Sequence, residues 1–386
     1  MYKKNHLMVP ISLAFSIFLF AFADENNFYM LPSLLAAEGL SAGEIEYFEL
    51  LEMLGNISAG FILTQLVNVV RRQILIIFSL IFFIISMISL MLIRERSLLD
   101  IYFLVMSISS FSYVVLLFIR IIEYTGSNKN YGLVAFFLLW AAGHFWGEYF
   151  KDFFVQQNLN KLVINTSFYC LMLIAAFFDE EPIDDTEFYY SKFAVLLENI
   201  ELQVVTVFII SYVNMSIFWY YDAFAVVKNL AITNMRVGED FMWMGIILFL
   251  LPVMYLVSKL NKYLLNLLFV LGFLVSFTLL ALFEITEINN IILLTAIGLF
   301  LCSIFVCNIS IISDKFVGNE LRTSLSIYFT MAIIGSYCGA FSAHIGGDIS
   351  NNKFISSTCL IILFFLLYYL WRFIKLKLYQ PLINDY

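Results

Sequence analysis

The sequence predicts an all-α polytopic membrane protein: twelve transmembrane helices in two pseudo-symmetric six-helix bundles. Three observations carry this. Of 386 residues, 62% are hydrophobic and only 13% are Asp, Glu, Lys or Arg, against roughly 25% charged in a soluble domain. Apolar stretches long enough to cross a bilayer recur along the whole chain. An acidic stretch then divides them six and six. This composition excludes a water-soluble enzyme, and the residues left between spans leave no room for a separate catalytic or nucleotide-binding domain.

The spans are expected, in order, at 7–31, 44–67, 74–93, 99–122, 131–152, 161–178, 203–227, 240–258, 263–283, 290–311, 324–346 and 354–374. The first resembles a signal peptide in following Lys3 and Lys4. It is expected to be retained, because it exceeds a signal core, shows no clear small-residue cleavage site and runs into Asp24 and Glu25. Basic residues orient the set. With the N-terminus inside, Lys3, Lys4, Arg71, Arg72, Lys129, Lys192, Lys259, Lys262, Lys315, Arg322, Arg372, Lys375 and Lys377 lie inside, and seven basic residues lie outside. That bias puts both termini in the cytoplasm.

The stretch 179–202 holds eight acids against one lysine and reads as a cytoplasmic linker, with Pro182 at the start of any helix within it. The domains are then 1–178, this linker, and 203–386. Cys170, Cys302, Cys307, Cys338 and Cys359 all fall in apolar stretches without metal-ligand spacing, so they read as packing residues.

The halves echo each other. Gly43-Glu44 recurs as Gly238-Glu239, and Gly143 and Gly147 of span five recur as Gly335 and Gly339 of span eleven, 192 residues on. Asp24 late in span one has its counterpart in Asp222 late in span seven. Near-constant offsets point to a duplicated half. The paired glycines, four apart on one helix face, let a second backbone approach closely.

Ionisable and polar groups within spans are the candidate site residues, because they are costly in lipid and face protein or a wet cavity. Asp24 and Glu25 fit an outer cavity or the membrane surface equally. In span seven, Asn214, Tyr220 and Asp222 suit a cavity wall, although an interfacial aromatic belt also explains the tyrosine. Glu52 and Asn56 share a face of span two, and Glu52 lies deepest among the acids there; it is a candidate coupling carboxylate or a rim residue. Arg120 and Glu123, three apart, suit a structural pair, a gate or an anion site. His144 can change charge near neutral pH, so it is a candidate for proton coupling beside a plainer packing role. No nucleotide cradle, HExxH or catalytic triad is present, so no catalytic residue, metal or cofactor is expected.

Taken with these features, the GLSAGEI entry to span two, the basic loops after spans two and eight, and the glycine-paired helices five and eleven resemble the major facilitator superfamily, most nearly its compact bacterial YcaD-like transporters. The resemblance covers nearly the whole chain. It implies a central cavity opened alternately to each side, and inner-gate loops that latch helix ends through charge. Here Arg71 and Arg72 keep the basic end of the first loop, with Gln65 at its early glycine position and no acid. Lys259 and Lys262 keep the second, with Ser258 and Asn261 in place of Asp and Gly. The latch must therefore use other acids, or the gate must work differently.

The expected function is a monomeric secondary active transporter in the bacterial inner membrane. It would move a small organic solute, with protons as the candidate coupling ion and no nucleic acid partner. The rival readings are a non-transporting receptor or structural protein and an intramembrane enzyme.

Overall fold

The structure is a computed structural model. Its described backbone covers residues 8–37, 42–92, 96–125, 129–156, 161–178, 193–227, 235–282, 287–346, 364–365, 367–372 and 374. Eleven helices run through these residues: α1 Met8–Ala37, α2 Ala42–Leu66, α3 Arg72–Leu92, α4 Arg96–Thr125, α5 Lys129–Gln156, α6 Lys161–Ala176, α7 Phe193–Val227, α8 Met235–Lys259, α9 Lys262–Leu282, α10 Glu287–Lys315 and α11 Gly318–Gly346. Residues 364–365 and 367–372 are helical as well, inside the twelfth expected span. Among the described residues, seven helices are long and apolar enough to cross a membrane by length and composition, and shorter apolar helices lie at Pro10–Asp24, Leu50–Leu66 and Val163–Ala176. The protein is a multi-pass, all-helical membrane protein.

The largest boundary difference from expectation is at the start of α7. Helix α7 starts at Phe193 rather than 203, so the end of the acidic stretch is helical. Leu196 and Ile200 explain this: four apart and buried, they give the helix an apolar face at the start of its membrane-spanning run, Leu196–Ser216. Glu201, on the same turn of α7, pairs with Arg372 and accepts a hydrogen bond from the Tyr368 hydroxyl at 2.7 Å. Residues 179–192 lie outside the described residues.

The chain folds into two compact units. The first comprises Met1–Ser191 with Val317–Thr330, and the second Lys192–Phe316 with Met331–Tyr386. In the first unit α1 packs on α5, α6 and α4, while α4 also packs on α2, α3 and α5. In the second, α10 packs on α8, α9 and α7.

Glycines set the closest crossings, and they do so at equivalent places in both halves. A Cβ on Gly143 of α5 would stand 2.5 Å from the Phe18 carbonyl oxygen of α1. On α11, Cβ atoms at Gly335 and Gly339 would stand 2.3 Å and 2.2 Å from the carbonyls of Phe208 and Tyr212 of α7. The α2–α4 crossing uses Gly55 against Ser107, and the α8–α10 crossing uses Gly245 against Thr295 and Gly298 against Met242. Lipid supplies no hydrophobic force between helices, so close van der Waals contact at small residues holds them instead. Gly147 is buried.

Polar clamps add to this. In the second unit Asn266 donates to Asn308 at 2.7 Å and to the Tyr369 hydroxyl at 3.0 Å, all three fully buried. The first unit holds an aromatic core in which Phe20 meets Tyr113, Trp140 and Tyr169.

Gly339→Ala is expected to lower stability by about 1–3 kcal/mol, the range for overpacking, because the opposing Tyr212 carbonyl is backbone and cannot rotate away. Thermal unfolding in detergent reads this; an unchanged midpoint would show that α7 and α11 do not rely on the close approach.

Candidate functional site

The most elaborate polar arrangement among the described residues lies where the turn after α2 meets the end of α4. Glu123 stands in the last turn of α4, at the negative end of that helix dipole, where a carboxylate is locally disfavoured. Arg72 is the first residue of α3, at the positive end of its helix, and is disfavoured for the opposite reason. Arg322 lies in the opening turns of α11 and carries the same mismatch. The three charges offset one another. Arg322 Nε donates to Glu123 Oε1 at 2.5 Å, Arg72 Nε lies 3.1 Å from Oε2, and Arg120 Nη1 donates to Oε2 at 3.4 Å. The three arginines are only 5%, 2% and 5% exposed for Arg72, Arg120 and Arg322, so water screens the cluster weakly.

Beside the cluster, the first half of α11 lies along α2. Asn68, in the turn after α2, donates to Thr323 Oγ1 at 2.7 Å, and Arg322 Nη1 donates to Asn319 Oδ1 at 2.8 Å. Further along, a Cβ on Gly60 would stand 2.2 Å from Thr330 Oγ1, so the α2 backbone rests against that side chain. Phe329 meets Phe118 of α4 edge-on at 4.6 Å. The seam is made of short polar and small side chains with one aromatic contact.

The second half repeats the loop-to-helix-end pair in weaker form. Lys262 opens α9 and Asp314 ends α10, with Nζ 2.5 Å from Oδ2, 190 and 191 residues after Arg72 and Glu123. The Asp314 side chain is 60% exposed, so this pair is far better solvated than the Glu123 cluster. Arg71 and Lys259 are exposed.

The remaining sequence candidates separate. Glu52 is exposed and Asn56 buried on α2; Asp24 and Asn214 are half-buried. His144 is buried with its ring 5.3 Å from that of Trp140. The side chains of Glu25, Tyr220 and Asp222 lie outside the described residues. Among the described residues no group of three His, Cys, Asp or Glu side chains is placed to hold a metal ion.

Sequence reasoning paired Arg120 with Glu123 but did not bring Arg72 or Arg322 to the same carboxylate. Arg322, just before the expected span eleven, is the available signal, but in the sequence it serves only as an orienting charge. Asn68, Thr323 and Gly60 had no signal, since ordinary turn, helix and glycine positions look alike in a sequence.

No family model matches the chain. A Rickettsia prowazekii protein, named Uncharacterized protein RP255, is 35% identical over 379 residues, covering 98% of this chain and 99% of the relative. Solved structures share the fold. FucP, a major facilitator superfamily transporter in the outward conformation, superposes with a TM-score of 0.73 at 12% identity, over 95% of this chain and 99% of its own. The human organic anion transporter MFSD10 gives 0.73 at 12% identity, over 95% and 100%. A further structure of the E. coli fucose:proton symporter FucP gives 0.70 at 13% identity, over 95% and 99%.

Glu123→Gln leaves three guanidinium groups around a neutral amide and is expected to cost about 3–5 kcal/mol, the range for breaking a buried pair. Lys262→Met removes a well-solvated pair and is expected to cost no more than about 1 kcal/mol. Paired thermal unfolding measurements decide this, and equal losses in the two variants would contradict the difference in burial.

Proposed function

Since the chain belongs to one family with RP255 of Rickettsia prowazekii and has the major facilitator fold, we propose that it is a secondary active transporter. It moves a small organic solute across the bacterial inner membrane by alternating access, with both termini in the cytoplasm. The two halves, 1–178 and 203–386, are the moving bodies and the acidic stretch 179–202 tethers them. In this reading the subgroup it stands nearest is the YcaD-like carriers, by the GLSAGEI entry and the glycine-paired helices, and it works as a monomer.

One observation carries the mechanism: residues 317–330 of α11 are held against α2 and α4 by a shared carboxylate, short side chains and the Phe118–Phe329 ring contact. Such a seam separates without unthreading long side chains. Its main cost is the loss of the Glu123 ion pairs, which water entering at the opened end compensates. The cluster therefore acts as the inner latch, with Glu123 as the acid that the first inner-gate loop lacks. The neighbours' printed substrates differ, fucose with a proton in one and an organic anion in another. Solute class is thus left to experiment, and protons are the favoured coupling ion.

Reconstituted protein is expected to move solute without ATP, and a pH gradient is expected to drive accumulation. An unbiased metabolite screen in proteoliposomes tests this; flux that requires ATP, or solute binding without flux, would sink the reading. Gly60→Leu drives a side chain into Thr330 and is expected to open the latch. An impermeant maleimide should then label Thr323→Cys several-fold faster in that background. An unchanged rate would show that the seam does not close the gate.

A further inference from the structure

Two of the sequence candidates meet on a different part of the first unit. Helices α1 and α5 are both odd-numbered in an up-and-down bundle and so run parallel, and Gly143 brings them close: its Cβ would stand 2.7 Å from Ala21 Cβ. Their register is marked by Phe20 and Trp140, whose rings stack with centroids 5.9 Å apart. Asp24 lies one turn beyond Phe20, and His144 one turn beyond Trp140, in the same direction along both helices. Positions four apart share a helix face. Asp24 and His144 therefore fall on the same side of the α1–α5 pair at similar depth. His144 is buried with its ring 5.3 Å from that of Trp140, and Asp24 is half-buried.

The other elements bring few rivals to this level. From α6, Asn165 donates to the Ala23 carbonyl at 3.5 Å and carries no charge. From α4, Tyr113 reaches the Phe20 ring at 5.2 Å, while Arg120 and Glu123 lie at the far end of that helix in the latch. From α2, counted back from its connection to α1, Asn56 is buried and Glu52 is exposed. The side chains of Glu25 on α1, Glu148 on α5 and Lys161 on α6, one turn from Asn165, lie outside the described residues.

We propose that Asp24 and His144 together form a proton-binding site, the coupling site of the carrier. The proposal rests on the transport reading above. With one shared proton beyond the carboxylate and neutral imidazole, the pair is a carboxylate and an imidazolium with no net charge. Loss of that proton leaves a single negative charge between helices. An isolated charge is costly there, so the deprotonated state favours a conformation that wets or neutralises Asp24. Proton occupancy and conformation are then linked reciprocally.

Trp140 supplies a readout independent of flux, because an imidazolium quenches a neighbouring indole. In full-length protein keeping Trp140 alone, with Trp146, Trp219, Trp243 and Trp371 replaced by Phe, emission is expected to fall in one step as pH is lowered through neutrality. His144→Gln abolishes the step. Asp24→Asn moves the midpoint of the step, and Asp24→Glu restores it. Where flux is measurable, Asp24→Asn loses gradient-driven accumulation but keeps passive exchange. A step that survives His144→Gln, or a midpoint unmoved by Asp24→Asn at matched thermal stability, overturns the pair. Flux with no step retires the pair alone, and an Asp24-dependent step in protein that moves no solute retires the transport reading while the proton site stands.

Discussion

Hydrocarbon offers no hydrogen bonds, and that constraint organises this chain from the backbone outward. Every backbone N–H and C=O in the bilayer must be satisfied within its own segment, which here leaves helices. Once each span is a helix, apolar side chains no longer choose between neighbour and lipid, because both are equally greasy. Contact is decided by shape and by polar groups. Hence the tight crossings fall at Gly143, Gly335, Gly339, Gly245 and Gly298, and the interior clamps are amides and hydroxyls such as Asn266, Asn308 and Tyr369.

Charge follows the same rule with higher stakes. Glu123, Arg72 and Arg322 each sit at the helix end that the backbone dipole disfavours, so none is stabilised by its own helix. They become favourable only together. A cluster whose members depend on one another is strong when assembled and comes apart cooperatively once one member leaves, which suits a latch better than a permanent strut. The corresponding pair in the second half, Lys262 with Asp314, has the same layout but an exposed acid, and so binds its loop more weakly. The two halves thus hold loop-to-helix-end ion pairs of unequal burial.

The proposed proton site obeys a different economy. Asp24 and His144 lie on helices whose contact is already settled by Gly143 and the Phe20–Trp140 stack, so their placement needs no contribution from their own charges. A site that does not hold its scaffold together can change protonation without unfolding it. Glu123 lacks that freedom, because losing its charge would leave the three arginines around it without their shared carboxylate.

The sequence alone determined the class, the twelve-span layout and the close-crossing positions Gly143, Gly335 and Gly339. These follow from composition, from regular spacing within a helix, or from a near-constant offset between the halves. It also identified Arg120 with Glu123, because residues three apart on a helix are neighbours whatever the fold. Ion pairs across the chain were not legible. Nothing local connects Arg72 or Arg322 to Glu123, or Asn68 to Thr323, some 255 residues apart. The early start of α7 was hidden as well, since the acids of 193–202 mask the buried Leu196 and Ile200 on the opposite face. Tertiary structure decided which charges meet, because a helix fixes only the directions of its own side chains, while the partner that neutralises a buried charge is set by how separate helices pack.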